Sequence, residues 1–357
     1  MAALRESYVA LTLGESAYAP RIDLLGPVEP PMGAYRWGSM SGICLRSGVV
    51  AVRVKSDVVG WGDDGVERKY CVRPGLYSGI VIVYDIANGR PLALLQDGIV
   101  QHVRLGAAIG LGAAALLQTN DDGASAEEHP STPDAGIRVG FVGSGGMAWS
   151  TLSALVTAIP VAHVSVYSPT PANRDAFARR AGEELGVPSA AVASAREAVA
   201  GAQLVVSATS STSATLAVDW LEDDAVVAFV SRREVPQGLH DDIPEVYRFG
   251  EASLGADTTY PGLEWYRGGY AGIAVGDAAF RATLPRRRPG EGDRSERDLP
   301  RLLAGDVKTG PGRKALVAVG TQGLQFASVA GLVARTAEQQ DVGTVLPDDW
   351  FLQDIRD

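Results

Sequence analysis

Cysteine and histidine are scarce in this sequence: two cysteines, Cys44 and Cys71, and four histidines, His102, His129, His163 and His240. None stands at the spacing of a zinc site, which excludes a structural metal of that kind. So little cysteine also excludes a disulfide-stapled fold and favours a reducing compartment. Two buried thiols are then expected, with a single Cys44–Cys71 bridge as the alternative. Basic clusters are equally short. The 32 Lys and Arg stand against 42 Asp and Glu, a formal charge of −10. Nucleic acid and anionic membranes need the opposite balance, so neither is expected as a partner. The longest apolar run, Leu105–Leu117, has 13 residues rich in Gly and Ala. A membrane span needs about 18 or more, so the run is expected to be a buried helix. The opening MAALRESYVALTLGES lacks the basic start, apolar centre and cleavage site of a signal peptide, and a cytoplasmic protein is expected.

What is present is a globular composition, 46% hydrophobic and 21% charged over 357 residues. That length favours two cores over one. Two polar, breaker-rich stretches punctuate it: Thr119–Gly136, with no apolar periodicity, and a charged segment over about 284–312 expected to be an exposed loop. Between them IRVGFVG, HVSVYS, QLVVSAT and AVVAFVS read as strands. The segments AWSTLSALVTA and ANRDAFARRAGEEL read as helices. Strands alternating with helices of this length predict a parallel sheet with crossover helices. The chain before Thr119 is richer in strand, with GVVAVRVKSDVVGW and SGIVIVYDIANGRPLALLQDG predicting a separate α+β domain. Near the C-terminus LQFASVAGLVARTAEQ reads as an apolar helix.

The strongest local motif follows the first parallel strand: Gly143-Ser144-Gly145-Gly146-Met147-Ala148. Gly143 permits a tight turn, Gly145 admits a pyrophosphate to the backbone, and Ala148 allows close helix–strand contact. The helix that opens there offers free N–H groups to phosphate. The fingerprint gains specificity from its place between a strand and a helix. The end of the second strand, where a carboxylate would bind the 2′-OH of NAD, carries Ser168, Thr170, Asn173 and Arg174 instead. Hydroxyls and a cation suit a 2′-phosphate, so NADP is expected, with NAD possible. Alternatively, Asn173 and Arg174 only open the next helix on a solvated face. Further cofactor contacts are expected at Ala208 and Thr209, where QLVVSAT ends at the sheet's carboxyl edge.

For a substrate, the candidates are cations on otherwise apolar elements. Arg53 and Lys55 are two apart on one strand and so share a face. Arg104 opens the buried helix, and Arg36 lies in the Gly-rich stretch GAYRWGSM. Each is either a carboxylate clamp or an ordinary ion pair. His102 is read as a structural hydrogen bonder or a second site residue.

The segments LLQDGIVQHVRLGAA, GSGGMA, VYSPTPANRDAFA and GLQFASVAGLVARTAEQQDVGTVLPDDWF, in this order over most of the chain, resemble the ornithine cyclodeaminase/mu-crystallin superfamily. RVKSD, YCVRPGLYSG and LPDDWFLQ point to a bacterial ornithine cyclodeaminase-like branch, the one also named for the second subunit of tyramine oxidase. The resemblance implies an α/β protein: a Rossmann dinucleotide-binding domain (131–312) plus an α+β substrate and dimerisation domain from both chain ends (1–130 and 313–357). It implies a homodimer and hydride exchange at a carbon attached to nitrogen, in a small imino or amino acid. By the same likeness Arg104 grips the substrate carboxylate, Arg53 or Lys55 matches a substrate-binding lysine, and Glu234 holds the catalytic aspartate's place. Gln101 and Leu105 replace the family's threonines, and glutamate replaces its aspartate, so ornithine itself is not the expected substrate. Three activities remain open on this reading: an imine reductase or amino-acid dehydrogenase, a cyclodeaminase that recycles its NAD, and a non-catalytic mu-crystallin-like binding protein.

Overall fold

The computed structural model describes residues 1–29, 33–61, 67–70, 77–121, 136–211, 213–250, 259–266, 270–286 and 296–354. Residues 122–135 of the first breaker-rich stretch, 287–295 of the second, and Cys71 lie outside the described residues. The rest of the second stretch, expected to be exposed loop, holds a short helix, Leu299–Leu303, with Leu299, Pro300 and Leu303 buried. Cys44 is a buried free thiol beside Ser7 Oγ.

In chain order the elements are α1 (Ala2–Thr12), β1 (Ser16–Tyr18), β2 (Ile22–Pro27), β3 (Ala34–Cys44), β4 (Val49–Trp61), β5 (Glu67–Tyr70), β6 (Ser78–Asp85), β7 (Pro91–Gln96) and α2 (Asp97–Asp121). There follow β8 (Ile137–Val142), α3 (Gly146–Ala158), β9 (Val161–Tyr167), α4 (Pro171–Leu185), β10 (Ser189–Ala191), α5 (Ala195–Val199), β11 (Leu204–Ser207) and β12 (Val226–Phe229). The chain closes with α6 (Leu239–Asp242), β13 (Glu245–Arg248), β14 (Leu263–Tyr266), β15 (Tyr270–Ala274), α7 (Ala278–Thr283), β16 (Arg297–Asp298), α8 (Leu299–Leu303), β17 (Lys314–Val317) and α9 (Gln322–Gln339).

Two compact units result. The central unit spans 102–251 and 290–320 (with Met1), and the terminal unit spans 2–101, 252–289 and 321–357. This differs from the expected division in three places. Residues 313–320, expected in the substrate domain, belong to the central unit, because β17 pairs in parallel with β12 and β13. The boundary falls within α2, at 101/102, where the expectation was 130. Residues 252–289, expected in the Rossmann domain, belong to the terminal unit because β15 pairs in parallel with β2 and β14 pairs with β15. Backbone hydrogen bonds to a distant edge strand decide that membership, and nothing local in LEWY or YAGIA signals it.

In the central unit the sheet runs β10-β9-β8-β11-β12-β17-β13-β16, with every pair parallel. From β8 the chain passes through α3 to β9 on one side, then returns to β11 on the other, so strand order reverses between β8 and β11. Such a reversal opens a crevice at the carboxyl ends of those strands. Continuous apolar runs build it: every residue of β11 and β12 is buried, as parallel strands covered on both faces require.

In the terminal unit the sheet runs β14-β15-β2-β3-β4-β6-β7, with β1 added to β3 and β5 to β4. Its buried face changes character along the strands. At one end Met40, Val49, Ala51, Val81 and Val83 pack under Phe326, Ala327, Ala330 and Ala334 of α9. At the other end the same face carries charge. Helix α2 is long and apolar enough to cross a membrane by length and composition, and most of that stretch is buried inside the protein.

Candidate active site

The dinucleotide loop occupies the crevice between β8 and β11. Gly143 has φ +109°, a conformation closed to side chains, and its N–H donates to Tyr167 O at 2.7 Å. A Cβ there would lie 2.2 Å from Ala208 O, so the loop and the end of β11 touch backbone to backbone. Gly145 differs: a Cβ on it would meet nothing within 4 Å, and Gly145 and Gly146 are both exposed. Its backbone is therefore open to a ligand at the start of α3, where unpaired N–H groups and the helix dipole favour phosphate. Met147 is half-buried and Ala148 fully buried against the sheet. The ring of His102 lies over Gly146, with Cε1 2.8 Å from where a Cβ would stand. The sequence left His102 between two roles, and the structure places it beside the loop.

At the end of β9 the expected ribose-side residues do come together. Ser144 Oγ donates to Ser168 Oγ at 3.0 Å, and Ser168 Oγ to Thr170 O at 3.2 Å. The Arg174 guanidinium donates to Ser168 O at 3.0 Å and stacks 5.7 Å from the centre of the Tyr167 ring. Asn173 is exposed in the first turn of α4. Ser168 thus has a hydroxyl where a carboxylate would contest a phosphate, and Arg174 is held beside it.

Glu234 is fully buried just past β12. Its Oε1 accepts from Thr209 N (2.6 Å), Thr209 Oγ1 (2.7 Å) and Ser207 Oγ (3.0 Å), while Oε2 accepts from Ser231 N (2.9 Å). Burial pushes its carboxyl up, and the bonds from Thr209, Ser207 and Ser231 pull it back. Arg232 takes no part, being bonded to Glu296 at 2.6 and 2.7 Å. With both oxygens engaged and no accessible surface, Glu234 ties the ends of β11 and β12 together. These bonds hold Thr209 and Ser207 in place at the end of β11.

The charged end of the terminal sheet holds the expected substrate cations, together with carboxylates that sequence reading missed. On β4, Arg53, Lys55 and Asp57 share the buried face and lie opposite Met40, Gly38 and Arg36 of β3. Lys55 Nζ stands 2.8 Å from Asp57 Oδ2, with Arg36 Nη2 at 3.5 Å and Lys69 Nζ at 3.7 Å from the same oxygen. Asp23 sits over Gly38, paired with Arg21 and 3.8 Å from Arg36. Burial pushes the Lys55 ammonium well below the lysine range, Arg21, Arg36 and Lys69 push the same way, and Asp57 opposes them. Burial works against ionisation of Asp57 too, but Lys55, Lys69 and Arg36 outweigh it and bring its carboxyl down to about 2. Arg53 instead pairs with Asp97, the first residue of α2. Seven residues on, about two turns and so on the same helix face, is the buried Arg104. Arg104→Ala is expected to lower kcat/KM by about 30-fold or more, the scale of truncating a buried, hydrogen-bonded charge. Dinucleotide affinity should stay within about twofold; steady-state kinetics and a binding titration measure the two separately.

A glycine loop at the reversal point of a parallel sheet defines a Rossmann-type dinucleotide-binding protein, here joined to a unit with a buried charged strip. The family model for the ornithine cyclodeaminase/mu-crystallin family matches residues 71–249, and the chain belongs to that family. A Delta(1)-pyrroline-2-carboxylate reductase of Bacillus cereus is 27% identical over 132 residues, 37% of this chain and 36% of that protein, so this match spans about a third of the relative. An uncharacterized cyclodeaminase of Sinorhizobium fredii is 26% identical over 292 residues, 77% of each chain. Among solved structures, the Delta(1)-pyrroline-2-carboxylate reductase of Thermococcus litoralis, in complex with NADH and L-proline, has a TM-score of 0.68 at 19% identity. That superposition covers 97% of this chain and 94% of the other.

Proposed function

We propose that the protein is an NAD(P)H-dependent oxidoreductase that exchanges hydride at the C–N carbon of a small imino or amino acid. The observation that carries the reading is the dinucleotide loop at the β8/β11 reversal, open at Gly145, in a chain of this family. A bound nicotinamide would supply or accept the hydride. The chain's own residues do the rest: Gly145, Gly146 and the start of α3 hold the pyrophosphate, and Glu234 fixes Thr209 and Ser207 at the neighbouring strand end. For the substrate carboxylate the candidates are the buried or half-buried cations Arg36, Arg53 and Lys55 of the terminal unit and the buried Arg104 of the central unit.

NADP is the cofactor we favour, because Ser168, Thr170 and Arg174 present hydroxyls and a cation at the ribose end and no carboxylate. Ser168→Asp is expected to weaken NADPH about tenfold or more and NADH much less, since the new carboxylate would repel a 2′-phosphate. Equal losses for both would remove the 2′-phosphate assignment. A homodimer is part of the same reading. The outer face of the terminal sheet exposes Leu24, Ile80 and Leu94 among the half-buried Trp37, Val52, Val54 and Ile82, an apolar surface suited to a second copy. A cytoplasmic setting fits the buried free Cys44.

The cyclodeaminase relative favours a second reading, in which ammonia leaves and the cofactor is regenerated. The test is NADPH and NADH oxidation with Delta(1)-pyrroline-2-carboxylate and with 2-oxo acids plus ammonia or methylamine, alongside an ammonia assay on diamino acids. Steady oxidation with an imino acid is expected. Ammonia release without net oxidation would move the assignment to the cyclodeaminase, and dinucleotide binding without either reaction to a mu-crystallin-like binding protein.

A further inference from the structure

Asp97 opens α2, where a carboxylate ordinarily caps the free N–H groups of the first turn. Its bonding is different. Oδ2 takes Arg53 Nε at 2.9 Å and Nη2 at 2.5 Å. Oδ1 is buried and accepts no hydrogen bond from the described residues, in a residue only 6% exposed. The site is built to hold this arrangement: a Cβ on Gly79 would lie 2.2 Å from Asp97 Oδ2, so a side chain there would push the carboxylate away from β6. A buried carboxylate oxygen left without a donor is costly and calls for an explanation. The remaining nitrogen of Arg53 is also weakly engaged, with Nη1 3.7 Å from the thioether of Met40, a poor acceptor, and the guanidinium carbon 5.6 Å from the centre of the Phe326 ring.

One ion pair therefore offers both an unmet acceptor and an under-used donor. An α-amino or α-imino acid presents the complementary set, N–H beside carboxylate. We infer that Asp97 is a substrate-binding residue whose Oδ1 receives the N–H of the substrate's ammonium or iminium group, while Arg53 Nη1 meets its carboxylate. This rests on the oxidoreductase reading and deepens it. It assigns recognition of the substrate nitrogen to Asp97, and leaves the buried Glu234 to position Thr209. It also defines the substrate class: the nitrogen must carry a hydrogen, so protonated cyclic imines and ammonia- or methylamine-derived imines fit, and 2-oxo and 2-hydroxy acids do not.

The test measures inhibition of imine reduction by L-proline and by tetrahydrofuran-2-carboxylate, the same ring with oxygen for nitrogen, in the wild-type holoenzyme and in Asp97→Asn. Asparagine keeps the size and can still accept from Arg53, but then turns an NH2 toward the substrate. The expected result is a wild-type preference for proline of about tenfold or more, lost in Asp97→Asn, with kcat/KM lower by about 10- to 100-fold, the scale of one charge-assisted hydrogen bond. A water-filled, purely structural carboxylate would leave the proline preference unchanged in a folded Asp97→Asn, which overturns the inference and leaves the oxidoreductase standing. Should Asp97→Asn fail to fold, the wild type decides: proline bound no better than its oxygen analogue overturns the inference. A wild type that reduces no imino acid removes the oxidoreductase reading, and this inference with it.

Discussion

Gly143→Ala is expected to lower affinity for the nicotinamide dinucleotide at least about 100-fold and to lower the melting temperature as well. Two independent effects combine. The φ of +109° lies outside the small left-handed region that a side chain tolerates, a strain of about 1–3 kcal/mol. The new methyl would also stand 2.2 Å from Ala208 O and 2.7 Å from Ala208 C, backbone atoms that cannot rotate aside. Relief requires parting the loop from the end of β11, and that contact positions both phosphate-facing elements. Gly145→Ala is the discriminating partner. Its methyl meets nothing within 4 Å, so the fold should melt within a degree or two of wild type. Dinucleotide affinity should still fall, because the methyl fills space the pyrophosphate needs. Thermal melts and NADPH fluorescence titrations of both variants check this; a Gly145→Ala protein that binds like wild type would place the pyrophosphate elsewhere.

Gly323→Ala should be the most damaging single change in the terminal unit. Its Cβ would lie 1.9 Å from Ser41 O and 2.3 Å from Ser41 C, and a Cβ on the facing Gly42 would be 2.4 Å from Gly323 C. Helix α9 therefore meets β3 main chain to main chain at two glycines. A methyl between them must lift the helix and open the cluster of Phe326, Ala327 and Ala330 over Met40, Val49 and Val81. Overpacking with partial loss of a core costs about 3–5 kcal/mol, a large part of a typical domain's stability. Falling soluble yield and a melting temperature lower by about 10 °C or more are expected. A variant that melts with the wild type would contradict the close packing of α9 on β3.

The central unit was largely legible because its signals are local. IRVGFVG, HVSVYS, QLVVSAT and AVVAFVS are short apolar runs at crossover spacing, and they form β8, β9, β11 and β12. The phosphate loop needs glycine for reasons a sequence can state. The terminal unit was less legible because its assembly depends on register. Arg53 and Lys55 were visible as cations sharing a strand face, but their partners were not. Asp57 is two residues away on the same strand, Asp23 comes from β2, and Asp97 arrives on a helix 44 residues after Arg53. An aspartate in a strand or at a helix start ordinarily reads as a turn or cap. Only the glycines opposite Lys55, at 38 and 79, hinted that side chains from elsewhere fill that space. Glu234 was found through family likeness, while its burial follows from the strand ends that converge on it. The addition of 270–274 to the edge of β2 had no local signal at all.

Hydride transfer between a nicotinamide and the carbon attached to nitrogen is the step on which the proposed function stands. The most direct test is single-turnover reduction of an imino acid with NADPH deuterated at C4, with the product read by mass spectrometry and NMR. One deuterium is expected at the α-carbon of the amino acid formed, from one face of the nicotinamide only, with loss of that transfer in Gly143→Ala. An amino acid formed without deuterium from either C4-labelled cofactor, or with deuterium at any other carbon, would contradict it.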